Sequence, residues 1–423
     1  MCKVTVVDAM CGKGKTSWAI QYMNENTDKK FIYITPYLDE VDRVLFNCSF
    51  RSFETPKAER SGGSKLEDFN KLLSEGKNIA STHALFSLVN DDTLKYLKEN
   101  NYTLILDEVF EVIENINITK SDREILLNGK VDVDEDCKVT WLDKDYNGNL
   151  NEYRKQIENG DVYMLDNCFL LWTFPTSVMK ALEHTYILTY MFRGQMQRYY
   201  YDMNGIEYEY KSVTKLDRGF GTEAYSYELC EYNPNEDLTY LRKLINICEN
   251  DKLNNIGKPR DKRSNPLSKS WYDNQNRKKL DGMDVLKKNM QNFFKNICKS
   301  KTEDNMWTCF KQYKGKCVGA GYKGRNFKDK NGNEKNTCFV TSSARATNEY
   351  RHKKNLAYCI NVFNNPILIK FFVSKGVVVD EDTYALAELI QWIFRSQLRD
   401  GKPINLYIPS ERMRNLLKQW LGM

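Results

Sequence analysis

The chain has 423 residues, 41% hydrophobic and 13% aromatic, with 63 Lys/Arg against 57 Asp/Glu for a formal net charge of +6; this excludes a disordered chain, and the length calls for two or three domains. Twelve cysteines without a C-x-x-C pair and only three histidines exclude a disulfide framework and a zinc site of familiar spacing. No apolar run suits a signal peptide or a membrane span, so a soluble, cytoplasmic protein with no membrane partner is expected, and the modest positive charge permits a nucleic-acid partner without requiring one.

The first element is a β-branched run, Val4 to Asp8, which breaks into Ala9-Met10-Cys11-Gly12-Lys13-Gly14-Lys15-Thr16-Ser17 and then into a segment compatible with a helix. Strand, glycine-bearing loop and helix in that order form the context of a phosphate-binding loop. Gly12 and Gly14 can take positive φ and turn backbone N–H groups onto an anion at the positive end of the following helix. Lys15 is then placed for the β and γ phosphates of a nucleotide triphosphate, and Thr16 for Mg²⁺, with Lys13 and Ser17 flanking them.

Lys30 to Tyr37 reads as a strand stopped by Pro36, followed by a helix from Leu38 to Phe46. A helix from Lys65 to Glu75, a strand from Asn78 to Ser81 and a helix opening near Thr82 and His83 continue the alternation that marks a parallel sheet covered on both faces. The strand Tyr102 to Leu106 ends in Asp107-Glu108-Val109-Phe110. In such sheets ligand chemistry gathers outside the carboxyl ends of the strands, so Asp107 is expected to help hold Mg²⁺ and Glu108 to orient or deprotonate an attacking water. Residues 115–160, rich in Lys, Asp and Glu with turn signals, read as an insertion.

Strands follow at Asp161 to Leu165, Phe169 to Trp172 and Tyr186 to Tyr190. Tyr199 to Tyr201 and Tyr208 to Tyr210 read as aromatic strand positions, in the core or on the sheet surface, with base stacking as the minority reading. A connection from Ser212 to Glu228 places a domain boundary near residue 225, giving domains 1–225 and 226–423. In the second, Asp237 to Cys248 has helical spacing. Residues 258–330 carry about twenty Lys/Arg against about seven Asp/Glu, interleaved with Trp271, Tyr272, Phe293, Phe294, Trp307, Phe310, Tyr313, Tyr322 and Phe327. Two readings are open: a nucleic-acid track, or a solvated face over ordinary core aromatics. Arg345, Thr347 and Asn348 belong to a small polar loop. A helix expected over Thr383 to Arg399 would set Gln391, Arg395 and Arg399 on one face.

Taken together these motifs resemble those of the superfamily 2 helicases. Ala9 to Thr16 is similar to their A-x-x-G-x-G-K-T phosphate loop and Asp107-Glu108-Val109-Phe110 to their D-E-x-x motif. Thr35-Pro36 and Thr82-His83 resemble their strand-end contacts to the nucleic-acid backbone, and Leu188-Thr189-Tyr190 the motif that couples ATP state to strand movement. Gln391, Arg395 and Arg399 resemble the final arginine motif, with the finger either Arg395 or Arg399. The segment Gln391 to Ser410 is similar to helicases carried by bacteriophages.

The resemblance implies an α/β fold of two tandem RecA-like P-loop domains with the active site in the cleft between them. It also implies ATP and Mg²⁺ as cofactors and ATP-driven movement on DNA or RNA, DNA favoured, in phage replication or recombination alongside phage or host replication proteins. The rival reading is a P-loop ATPase that acts as a switch, loader or remodeller and separates no strands.

Overall fold

Burial along the first strands dictates the architecture. β1 (Lys3–Asp8), β2 (Lys30–Thr35), β3 (Ile79–Thr82) and β4 (Tyr102–Asp107) are buried over nearly their whole length, as strands covered on both faces must be. Alternate side chains enter different cores. Val4, Val6, Ile32, Ile34, Leu104 and Leu106 pack with Phe69, Leu72 and Leu73 of the helix Lys65–Ser74 and Leu97 of the helix Asp91–Asn100. On the other face Val7, Phe31, Tyr33 and Ile105 pack with Trp18, Ala19 and Met23 of the helix Lys15–Glu25 and with Val41 and Val44 of the helix Leu38–Asn47.

This computed structural model describes residues 3–143, 145–218, 225–261, 264–329, 332–342 and 349–423. The chain forms two units, one of residues 1–233 and 365–379, the other of residues 234–364 and 380–423.

In the first unit β5 (Ile113–Ile116), the hairpin β6 (Val131–Val133) with β7 (Val139–Trp141), β8 (Asp161–Leu165) and β9 (Phe169–Thr173) form a local antiparallel structure. Leu126, Val139, Trp141, Leu150, Val162 and Leu170 give it a core of its own. The insertion therefore runs beyond the expected 115–160 at its carboxyl end, because β8 and β9 close it.

The main sheet adds β10 (His184–Thr189), β11 (Tyr208–Asp217) and β12 (Tyr225–Glu231), in the order β12-β11-β1-β10-β4-β2-β3. All neighbours are parallel except β11 and β12.

The second unit holds β13 (Ile245–Ile247), β14 (Asn305–Thr308), the small hairpin β15 (Asn326–Lys328) with β16 (Glu334–Asn336), β17 (Asn355–Tyr358) and β18 (Ile404–Tyr407). Four of these form a parallel sheet in the order β13-β18-β17-β14. The expected α/β class with parallel sheets is what the chain adopts. Among the described residues no helix is long and apolar enough to cross a membrane.

Several expectations are corrected. The boundary near 225 falls at the start of β12, whose full-length ladder to β11 ties it to the first unit, so the division lies at 233/234. Residues 365–379 return to the first unit, where Phe371 meets Tyr163 and Phe372 meets Tyr199 at ring distances of 5.3 and 5.6 Å.

The segment Asp237 to Cys248 is a short helix, Thr239–Leu244, that gives way directly to β13. Tyr199, Tyr200 and Tyr201 lie on the helix Met196–Met203 and are fully buried, which removes them as stacking platforms. Tyr272, Phe293, Phe294, Trp307 and Tyr322 are likewise buried in the second unit's core, so most aromatics of the basic stretch pack the protein.

The helix expected through Arg399 is Glu381–Ile393. It stops because Ser396 caps a new turn: its Oγ donates to Ile393 O at 2.6 Å and accepts from Leu398 N at 3.3 Å. Gln391, Arg395 and Arg399 therefore share no helix face.

Candidate nucleotide site

The parallel register brings the strand ends of the first unit to one edge. Asp8 pairs with Thr189, Leu188 with Asp107, and Thr35 with Thr82. The loop after β1 leaves that edge with Gly12 at φ 88° and Gly14 at φ 100°, conformations that cost a residue with a Cβ. Gly14 is held further by a neighbour: a Cβ there would lie 2.2 Å from Cε1 of Tyr227 on β12.

The helix Lys15–Glu25 starts from Gly14 with no side-chain cap and no acidic residue in its own first turn, which leaves the positive end of its dipole facing the loop. The Lys15 ammonium donates to the carbonyls of Ala9 and Met10, folding back across the loop. Lys13 is exposed on the loop and Ser17 is half-buried in the first turn of the helix.

Thr16 Oγ1 stands 3.4 and 3.5 Å from the two carboxylate oxygens of Asp107. Asp107 is buried and accepts a 2.6 Å hydrogen bond from the phenol of Tyr33 on β2. Burial pushes its carboxyl up to about 7; the Tyr33 bond and the Lys15 charge pull it down, and Glu108 pushes it up. Burial and the same carboxylate hold the Tyr33 phenol well above its ordinary range, so it remains a donor. Among the described residues no three His, Cys, Asp or Glu side chains cluster, so a cation beside Thr16 and Asp107 would complete its shell with water and phosphate oxygens, the habit of Mg²⁺.

Glu108 takes φ 71°, a left-handed conformation costing a non-glycine residue about 1–2 kcal/mol, with its N–H donating to Leu188 O at 3.0 Å. Among the described residues its Oε2 is buried without a hydrogen-bond partner, as are Thr35 Oγ1 and Thr189 Oγ1 on the neighbouring strands. These three atoms stand together at the carboxyl ends of β2, β4 and β10, the edge from which the glycine loop leaves.

Pro36 follows Thr35, and His83 follows Thr82 with its ring 6.1 Å from Phe110. The first unit thus gathers Gly12 to Ser17, Thr35, Pro36, Thr82, His83, Asp107 and Glu108 at one edge.

Gln391, Arg395 and Arg399 belong to the second unit. Gln391 is half-buried; Arg395 is buried, with Nη1 donating to Thr341 O and Ser342 O at 3.5 and 3.4 Å; Arg399 is exposed on the turn Gln397–Asp400. Arg345, Thr347 and Asn348 lie outside the described residues.

Three contributors carry no motif. Tyr33 is one apolar position in an apolar strand. Tyr227 lies more than two hundred residues from the glycine it covers. Asp8 accepts from the N–H groups of Met191 and Phe192, both at 2.9 Å, and so fixes the turn after β10. Its only sequence signal is an acid ending an apolar strand.

A family model described as the YonV C-terminal Rossmann-like domain matches residues 239–421. A solved structure of S. tokodaii Xpd4 is similar at 12% identity, with a TM-score of 0.47 over 100% of this chain and 94% of that one. The "SPbeta prophage-derived uncharacterized protein YonV" of Bacillus subtilis (strain 168) is 38% identical over 434 residues, 99% of this chain and 98% of the relative. Identity of that extent along nearly the whole of both chains shows that this protein belongs to the YonV family.

Proposed function

We propose that the chain is a helicase-type ATPase that couples ATP hydrolysis to movement on a nucleic acid. The observation that carries this reading is the convergence, at one sheet edge, of an uncapped helix start behind Gly12 and Gly14, Thr16 beside Asp107, and the unpartnered Oε2 of Glu108. Lys15 would exchange the carbonyls of Ala9 and Met10 for phosphate oxygens, while the N–H groups of Gly12 to Thr16 receive the remainder. Thr16 and Asp107 would hold Mg²⁺, which when bound neutralises charge on the phosphates. Glu108 would orient the attacking water and take its proton. The prophage origin of the Bacillus relative favours DNA over RNA and a host cytoplasm as the setting.

The test is ATP turnover measured side by side with single-stranded DNA, duplex DNA and RNA. Stimulation by at least one is expected; equal rates with and without all of them would count against a translocase and in favour of a simple nucleotide switch. Lys15→Ala should raise the Kd for ATP at least tenfold in isothermal titration, since it removes the cation aimed at the phosphates.

Of the two arginines, Arg395 is buried and bound to backbone carbonyls whereas Arg399 is exposed, and we assign the role in turnover to Arg399. Arg399→Ala should lower turnover about 10³-fold with little change in melting temperature. Arg395→Ala should cost about 1–3 kcal/mol of stability in a denaturant titration. The opposite pattern would exchange the assignments.

A further inference from the structure

The second unit carries a cavity of about 720 Å³ apart from any residue assigned above, within the size range of pockets that enclose small ligands. Its wall includes the half-buried indole of Trp271, which lies in the first turn of the helix Lys269–Arg277. Leu280 and Val285, 46% and 37% exposed, add apolar surface that solvent reaches. Lys252, Lys258 and Arg260 line the same cavity, against Asp281 as its acidic member. Lys258 is exposed and 3.4 Å from Asp251, a contact too solvated to tie it down strongly. Amides are present as well: Asn274 and Gln275 line the cavity, and Gln275 Oε1 accepts from Gly282 N at 2.9 Å.

We propose that this cavity binds one nucleotide of a single-stranded nucleic acid, with its base on Trp271 and its phosphates paired to Lys252, Lys258 and Arg260. An aromatic face, an apolar wall and a cationic rim together match a stacked base joined to a charged backbone, and a purely apolar ligand would gain nothing from the three cations. The amides give the base edge partners. The surrounding basic stretch favours a polyanion over a free nucleotide: its aromatics are mostly core, and its positive charge remains for the surface. Trp271 packs one side against the second unit's core, is half-buried, and shares the cavity wall with three cations. The proposal rests on the nucleic-acid reading of the nucleotide site and names the place where the strand is gripped.

The experiment is fluorescence anisotropy of a labelled twelve-nucleotide oligo-dT titrated with the full chain at two salt concentrations. Trp271→Ala should weaken binding about tenfold or more, and Trp271→Phe should restore most of it, because stacking tolerates any aromatic face. The double change Lys258→Glu, Arg260→Glu should weaken binding and flatten its salt dependence by roughly 0.7 for each phosphate that is no longer neutralised. ATP turnover without nucleic acid should be unchanged in all three.

Tight binding by the parent with no effect of these variants would overturn the cavity and leave the motor reading standing. No binding of oligo-dT or of oligo-U by the parent would overturn both. Circular dichroism of each variant separates misfolding from removal of the gripping side chain, and the Trp271→Phe protein keeps the test decisive if the alanine variant misfolds.

Discussion

Glu108→Gln is expected to lower ATP turnover by about 10²- to 10⁴-fold while leaving the Kd for ATP within about twofold of the parent. The carboxylate oxygen Oε2 is buried with no partner, so its substitution breaks no hydrogen bond of the protein. The amide is nearly isosteric and inherits the φ of 71° that aims the side chain. What it loses is the capacity to accept a proton, and turnover is where that loss appears. In single-turnover measurements the variant should bind ATP at the parent's rate and accumulate an unhydrolysed complex; with a nucleic acid present it should dissociate from it more slowly. A Glu108→Gln protein retaining more than a tenth of the parent's turnover would remove Glu108 as the base. One that loses turnover yet performs the full cellular function would favour the rival reading, a nucleotide switch.

The residues that were legible in the sequence are those whose chemistry depends on local spacing. A phosphate loop must be contiguous because neighbouring N–H groups make it, and an acidic pair at a strand end is visible because the apolar run before it is short and abrupt. Register then brings Thr35, Thr82, Asp107 and Thr189 to one edge without further information, since parallel strands that begin together end together.

What was not legible depends on long-range partners. Tyr33 and Asp107 are joined by a hydrogen bond spanning 74 positions, and nothing in an apolar strand distinguishes a phenol that has a task from one that only packs. Basic stretches containing aromatics read alike whether the rings face solvent or core, because a parallel sheet covered by helices needs large apolar side chains wherever it lies. The turn at Ser396 was hidden because Trp392, Ile393, Phe394 and Leu398 continue an apolar pattern through it, and the hydroxyl that ends the helix is a single atom. The return of residues 365–379 to the first unit was hidden for a different reason: the apolar helix Pro366–Ser374 does not name the surface it will cover.

Asp107→Asn is expected to make the ligand-free protein more stable at pH 8 while abolishing Mg²⁺-dependent ATP hydrolysis. The sign follows from proton binding. The folded protein holds the Asp107 proton up to about pH 7, whereas an ordinary carboxyl releases it near 3.8. Between those values the folded state binds more protons than the unfolded one, so stability falls as pH rises through the window. A rise from 3.8 to about 7 is worth at most roughly 4 kcal/mol, which the folded state forfeits once Asp107 is ionised. Asparagine cannot ionise, and its carbonyl oxygen can still accept the Tyr33 hydrogen bond.

The stabilities of variant and parent, read from urea titrations, should therefore be close at pH 4 and diverge by a few kcal/mol by pH 8, the variant being the stronger. Mg²⁺ with a nucleotide should narrow that gap by stabilising only the protein that retains the carboxylate. A difference between the two proteins that does not change with pH would mean that Asp107 carries no penalty for its charge in the folded chain. A gap that Mg²⁺ and nucleotide leave untouched would separate Asp107 from the cation. The cost of keeping a buried carboxylate beside Thr16 and Glu108 is the behaviour of a group retained for what it binds, and removing it should trade function for stability in a single substitution.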